Sequence, residues 1–423
     1  MLHRLLSNLT RTLRRSPRFI RTLVSLRALK LLDREGLRGY AARSERYWPL
    51  DDEPEIDVEP LRGPIVPPIP AGSDRDIGFP YPWSARPGFV CELRDVSLVG
   101  HKPMVVTQDG RYVLDSIVPT MDDNVKLDEV LRRVIVRHGF PKTLRGFTGK
   151  DRIRDRKREL GLACLLTDGL QRSYYHWVLE QATKLRGVDE FRRRTGETPM
   201  LVLPRGKAPW MLELIDLVGY GDAETFEWRG PRDGRAERLV MPSYPEPTPA
   251  TCRWLRERVL GGRPVPEAER NERILIVRGD GPRWWRRAIV NQAEVEAALG
   301  DLGFRAHKLA ELSVSEQAGL FAGAEIVVGA HGAGFTNLVF STSTNVLELF
   351  GRDVRPHFAR LSHVLGLPYR YLLCDPASVE ELEPPAGLEE SGEARTPRAR
   401  DARPGLRVDV GELTRALGEM GVR

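Results

Sequence analysis

The sequence predicts an α/β protein of two Rossmann-like domains preceded by a basic helical extension. Three observations carry this reading. Strand-like apolar runs alternate with helical periodicity twice, within residues 95–260 and again within 261–375, and such alternation implies parallel strands covered by helices. A glycine-rich turn, Gly329-Ala-His-Gly-Ala-Gly-Phe-Thr-Asn, stands between an apolar strand and a helix in the second unit. Charge is also unevenly placed. Residues 1–48 hold 12 Arg/Lys against 3 Asp/Glu, a net of +9 in a chain whose total is +6, so the remaining 375 residues sum to −3.

Composition removes several classes. With 41% hydrophobic and 29% charged residues in 423, the chain can build a core, and global disorder is excluded. The four cysteines are scattered, with no CxxC pair, which argues against a zinc module or a disulfide scaffold and fits a reducing compartment. No run of 18 uncharged apolar residues occurs, so no spanning helix is expected. Because the basicity sits at one end, it does not argue for a nucleic-acid partner of the main domains.

The elements follow in order. In residues 1–48, Leu and Ile recur at helical spacing with arginines in the gaps, and Pro17 divides the stretch into two amphipathic helices. Such helices can lie on an anionic membrane surface or pack on the body of the protein; an Arg-rich, acid-poor start also resembles a mitochondrial presequence. Residues 49–94 are rich in Pro, Asp and Glu without periodicity and read as a strap or linker. From about Val96 strands begin, and Asp109-Gly110 between apolar runs signals a hairpin. A helix is expected over 173–188, strands at Met200–Leu203 and around Leu239–Ser243, and a helix from Pro209 ended by glycine. In the second unit, strands are expected at Ile274–Val277, Glu325–Val328 and Val346–Leu349, with helices over Asn291–Gly300 and, opened by a Ser313/Glu316 capping box, up to Gly323. Residues 376–423 form an acidic, proline-rich tail, expected to be disordered over 376–404, and a closing amphipathic helix at Val408–Met420.

The glycine-rich turn carries the chemistry. Free amides at a helix start, with the positive end of its dipole, make an anion site. Gly332 and Gly334 let the backbone approach a phosphate, amides from Gly332 through Ala333 to Thr336 face it, and His331 and Thr336 add side-chain donors. The turn is neither a P-loop nor a clean GxGxxG. Glu348 falls at the end of the next strand, where it could accept hydrogen bonds from ribose hydroxyls.

At these residues the sequence resembles glycosyltransferase family 61. The GAHGAGFTNLVF stretch after SEQAGLFAGAEIVVG carries the resemblance, with ILIVRGDGPRWWRRAIVNQAEVEAAL and SYYHWVLEQATKL upstream; it covers roughly residues 95–375. The resemblance implies a GT-B-like fold, two Rossmann-like domains facing a cleft, a nucleotide-sugar donor (UDP-linked) and inversion at the anomeric carbon. It implies a glycan or glycolipid acceptor in surface polysaccharide synthesis, as in bacterial capsular members. The chain departs from the family at Gly279-Asp-Gly-Pro, Asn291-Gln292 and Ser343-Thr344.

The residues fit that chemistry. Charge grows on a diphosphate leaving group, and without metal it falls to helix amides and cations. Arg278 follows a strand end, and Arg283 and Arg287 follow in the next loop; each offers a bidentate fork for phosphate. Inversion needs a general base for the acceptor hydroxyl. His176 and Glu180 lie at i and i+4 on one helix face, either as base and orienting carboxylate or as buried polar residues in an aromatic cluster. Asp168 is a second candidate base. The one Asp-x-Asp, Asp74-Arg75-Asp76, lies in the strap, so no metal and no cofactor is expected. The alternatives are a catalytically inactive scaffold in polysaccharide assembly and a nicotinamide-dependent oxidoreductase. The expected location is cytoplasmic, peripheral at the inner face of the plasma membrane through residues 1–48.

Overall fold

The fold was read from a computed structural model of the chain. It describes residues 31–32, 34–42, 46–50, 56–58, 83–85, 88–100, 103–116, 159–167, 172–229, 234–261, 271–278, 288–351, 354–377, 381 and 405–423. The two helices expected up to residue 30, Asp74-Arg75-Asp76, Asp168, Arg283, Arg287 and the tail over 382–404 lie outside the described residues. Among the described residues no helix is long and apolar enough to cross a membrane. The chain divides into two units. The first comprises Met1–Pro54, Arg86–Met211 and Tyr220–Glu246; the second comprises Glu55–Ala85, Leu212–Gly219 and Pro247–Arg423.

The first unit is built on nine strands among the described residues: β1 (Leu31–Leu32), β2 (Tyr47–Pro49), β3 (Phe89–Val99), β4 (Met104–Val106), β5 (Tyr112–Val113), β6 (Glu159–Leu165), β7 (Met200–Pro204), β8 (Thr225–Trp228) and β9 (Gly234–Pro242). Their order is β1-β5-β4-β3-β9-β6-β7-β8, with β2 also on β3. Half of this sheet is the expected parallel arrangement, β9-β6-β7-β8. On the other side β9, β3, β4 and β5 pair antiparallel, as does β2 on β3, while β1 joins β5 in parallel, so the unit is a mixed sheet and not a pure Rossmann-like one. β9 is the seam: Leu239 faces Ala163 in parallel register on one side and Leu93 in antiparallel register on the other. The Asp109-Gly110 hairpin forms, with Val106 opposite Tyr112. β3 starts inside the stretch expected to be strap, because Phe89, Val90 and Cys91 are buried in the sheet core.

Helix α1 (Arg34–Ala41), within the basic segment, belongs to this body: Leu37 and Ala41 are buried in the same core. The helix expected over 173–188 is a turn at Tyr174–His176, a π-helical turn at Trp177–Gln181, then α2 (Lys184–Thr195). It runs on to Gly196, whose left-handed φ of 74° stops it. α2 packs on β9 at Gly187, where a Cβ would sit 2.9 Å from that of Pro242. Helix α3 (Pro209–Ile215) follows β7.

The second unit is a doubly wound sheet of β10 (Glu272–Ile276), β11 (Phe304–His307), β12 (Ala324–Ala330), β13 (Asn345–Phe350) and β14 (Tyr369–Leu373). The order is β11-β10-β12-β13-β14, and every pairing is parallel. In chain order this is 2-1-3-4-5, which places a topological switch point between β10 and β12. Right-handed crossovers put α5 (Gln292–Gly300) on one face, joined by α8 (Val410–Glu419). The other face carries α4 (Pro249–Leu260), α6 (Val314–Ala322), a 3-10 helix (Ala333–Phe340) and α7 (His357–Leu365), packed on one another.

Strand alternation sorts the core between these faces. Ile326, Val328, Leu347 and Leu349 meet Val295, Leu299, Leu413 and Leu417 on the α5 and α8 side. The intervening positions, Gly329, Glu348 and Phe350, therefore turn to the other face. The capping box of α6 forms, and its first amides also donate to Glu213, from Val314 and Ser315 at 3.0 Å each. The tail is anchored at its ends: Asp375–Ala377 pairs with Gly405–Arg407, and α8 closes the core as expected.

Candidate active site

The described residues among those singled out in the sequence fall in two clusters of polar side chains, one in each unit. In the second unit the switch point brings together the loops after β10 and β12, where open α/β sheets bind ligands. Arg278 stands two residues beyond β10, and His331 and Gly332 follow β12 directly. Gly332 lies so close to Arg278 that a Cβ there would meet Nη1 at 3.1 Å. The 3-10 helix begins at Ala333, and its first internal bond runs from the Phe335 amide to the Gly332 carbonyl. The amides of Gly332, Ala333 and Gly334 thus have no partner within the helix.

The two glycines differ in what they do. Gly332 leaves room for the guanidinium. Gly334 leaves room for the core, since its Cβ would sit 3.0 Å from Leu309 Cδ1 and 3.2 Å from Ile276 Cγ2. Thr336 is fully buried, and its Oγ1 has no hydrogen-bond partner among the described residues. Asn337, which no motif marked, is also fully buried; its Nδ2 donates to Gln317 Oε1 at 2.8 Å and to the Gly334 carbonyl at 3.2 Å, pinning the turn.

His331 is the most constrained side chain here. Its amide donates to Leu349, so it extends the strand edge. Its ring stacks on Phe350, with centroids 5.1 Å apart and planes 25° apart, and tilts against Phe358. Its Nδ1 is bonded to the carboxylate of Glu348. Glu348 has no exposed surface, and its second oxygen accepts from the Tyr369 hydroxyl at 2.6 Å. The carboxylate therefore faces His331 and Tyr369 and presents no oxygen to a ribose in this structure. Burial, then the Glu348 charge, pushes the Tyr369 phenol well above its ordinary range, which keeps it a donor. Tyr369 escaped the sequence reading because its strand, β14, was itself not among the expected elements.

In the first unit the π turn carries the second cluster, and such turns are frequent at functional sites. His176 Nδ1 lies 2.8 Å from Glu180 Oε2. The same oxygen accepts from the Tyr244 hydroxyl at 2.6 Å. His176 keeps 17% of its side chain exposed and Glu180 only 7%. Aromatic rings flank the pair: Tyr175 meets His176 edge-on at 5.2 Å, and Tyr174 and Trp177 both contact Trp210. The sequence marked His176 and Glu180 by their spacing; Tyr244 is 64 residues further along and carried no signal.

Residues 174–347 match the model of the family described as Glycosyltransferase 61. That span opens beside the His176–Glu180 pair and takes in the whole turn from His331 to Thr336. A stretch of 62 residues is 45% identical to a beta-1,2-xylosyltransferase of Oryza sativa subsp. japonica, covering 14% of this chain and 12% of that protein. The chain thus matches about an eighth of the length of this curated relative. Both likenesses are to glycosyltransferases.

Proposed function

We propose that the chain is an inverting, metal-independent glycosyltransferase, transferring a hexosyl or pentosyl group from a UDP-sugar to a hydroxyl of a glycan or glycolipid in surface polysaccharide synthesis. The observation that carries the reading is the close approach of Arg278 to the backbone of Gly332 at the switch point, beside a histidine held by a buried glutamate. A guanidinium, a run of amides and an imidazole then address one anion, which is what a departing nucleoside diphosphate requires. Arg283 and Arg287 add cations from the following loop.

In this reading labour is divided in the GT-B manner, donor on the second unit and acceptor on the first. His176 Nε2 takes the proton of the acceptor hydroxyl. As the new bond from that oxygen to the anomeric carbon forms, the bond from carbon to the phosphate oxygen breaks, and its electron pair leaves on the diphosphate. Glu180 orients the imidazole and stabilises its charged form. Asp168 is the reserve candidate for the base. Glu348 acts through His331 and not on the ribose. The net charge of +9 over residues 1–48 supports a cytoplasmic protein held at the inner face of the plasma membrane by anionic lipid.

Thermal-shift and calorimetric titration with UDP tests the donor site. Stabilisation by UDP in the wild type, lost in a folded Arg278→Ala variant, is the expected result. If neither UDP nor any other nucleoside diphosphate stabilises the protein, the donor assignment is wrong.

A further inference from the structure

We infer that Gln317 is a positioning residue for the turn that follows β12: through Asn337 it holds the Gly334 carbonyl inward and so fixes the aim of the amides at Gly332, Ala333 and Gly334. That this aim serves a diphosphate rests on the proposed function; the bonds themselves do not.

Two backbone carbonyls, which can only accept, settle the arrangement. Gln317 lies in the first turn of α6 and is 7% exposed. Its Nε2 donates to the Leu312 carbonyl at 3.0 Å, so its Oε1 is turned the other way. That oxygen accepts from Asn337 Nδ2 at 2.8 Å. On the far side the Gly334 carbonyl accepts from the same Nδ2 at 3.2 Å. A carbonyl at each end thus decides how both side-chain amides are turned, whatever else they touch.

Gln317 also grips the segment that closes on the turn. Leu312 ends the short helical turn Leu309–Glu311, and Leu309 Cδ1 is 3.0 Å from where a Gly334 Cβ would stand. One side chain therefore ties the packing of Leu309 on Gly334 to the bond between Gly334 and Asn337. Its base is firm: the Ser313–Glu316 box and Glu213 satisfy the first amides of α6, which packs along the 3-10 helix. A 3-10 helix has poorer hydrogen-bond geometry than an α-helix, so an outside hold matters to it. Helix carbonyls point to the C-terminal end and helix amides to the N-terminal end. Holding the Gly334 carbonyl thus sets the aim of the first-turn amides, beside Arg278. Donors fixed before an anion arrives hold it better than donors that must be ordered by it.

The first measurement uses no ligand, so failure of this inference and failure of the donor assignment are separable. Amide hydrogen exchange of the full chain is followed by mass spectrometry in the wild type, Gln317→Met and Gln317→Ser. Met keeps the length of the side chain, and Ser leaves room for water. Peptides covering 332–341 should exchange roughly tenfold faster in both variants, while those covering β13 stay as in the wild type. UDP affinity by calorimetry should fall about tenfold, the scale of one hydrogen bond. Thr344→Val removes a buried bond to the Ala324 carbonyl, at the opposite end of β12; it should lower the melting temperature and leave UDP affinity unchanged. Gln317→Met combined with Asn337→Leu should bind UDP no more weakly than Asn337→Leu alone, because the two act through one contact. Unchanged exchange at 332–341 in a folded variant overturns the inference, and so does wild-type UDP affinity there. Additive losses in the double variant, or failure of both single variants to fold, overturn it in favour of a role in general stability. If the wild type binds neither UDP nor any other nucleoside diphosphate, the donor assignment falls and the exchange data alone decide the role of Gln317.

Discussion

His331 and Glu348 stand on adjacent loop and strand, 17 residues apart in sequence, and are joined through Nδ1 and a carboxylate that has no exposed surface. The pair converts a histidine at the mouth of the switch point into a group of fixed direction, backed by the Tyr369 hydroxyl. A buried carboxylate is costly unless its lone pairs are met, and here both oxygens are. Glu348→Gln keeps volume but weakens the hold on the ring. UDP affinity by calorimetry should fall about tenfold, close to one charge-assisted hydrogen bond. Unchanged affinity in the folded variant would show that the ring's orientation does not matter to the donor.

The two glycines of the turn should separate binding from packing. Gly332→Ala comes tight only on the far end of Arg278, which can swing away, and makes an ordinary contact with the Ala330 carbonyl at 3.6 Å; the protein should keep its melting temperature and lose UDP affinity. Gly334→Ala meets Leu309 and Ile276 in the core and should cost about 1–3 kcal/mol of stability by overpacking. Denaturant titration beside UDP titration reads both. Equal behaviour of the two variants would contradict the division.

At the proposed base, His176→Ala should lower kcat by about 10²–10⁴-fold, the usual range for loss of a general base. UDP affinity should be unaffected, because the diphosphate is assigned to the other unit. Glu180→Gln should cost less, since it retains a hydrogen-bonding group for His176. A stable His176→Ala protein with near-normal kcat would pass the role to Asp168.

Stability in acid should follow an ion cluster on the first sheet. Glu92, 3% exposed, accepts from Arg46 at 2.9 Å and Arg238 at 2.6 Å, and Arg238 also forks onto both oxygens of Glu197. Burial pushes the Glu92 carboxyl up, but Arg238 and Arg46 more than offset it, and its pKa ends below the ordinary value. A depressed folded pKa gives stability that is fully present above the unfolded value, near 4.5, and is lost as pH falls through the folded one. Glu92→Gln should cost about 3 kcal/mol at pH 7 and flatten the loss of melting temperature below pH 4.5. A variant with the wild-type acid profile would place the acid lability elsewhere.

Turnover, once a donor and acceptor are found, should survive excess EDTA, because the proposed diphosphate contacts are Arg278, amides and His331. Loss of activity on chelation, restored by Mn²⁺, would reveal a metal requirement.

Much of this protein was determined by local sequence. Periodicity placed every strand of the second sheet except β11 and β14. The Ser313/Glu316 box and the Asp109-Gly110 turn formed as written, since caps and turns depend on residues three or four apart. The spacing of His176 and Glu180 set their bond for the same reason. Tertiary structure decided the rest. The switch from parallel to antiparallel pairing in the first sheet arises where β9 meets β3, some 140 residues distant, which no local period encodes. Arg278 comes up against a glycine about 50 residues on. Tyr244 and Tyr369 became polar partners of Glu180 and Glu348 only because the folded chain buried those carboxylates and left them in need of donors. Glu348 itself shows the limit most clearly. Its position at a strand end was legible, but its facing was not, because strand alternation fixes a side chain's face only once the packing of neighbouring helices has decided which face is the core.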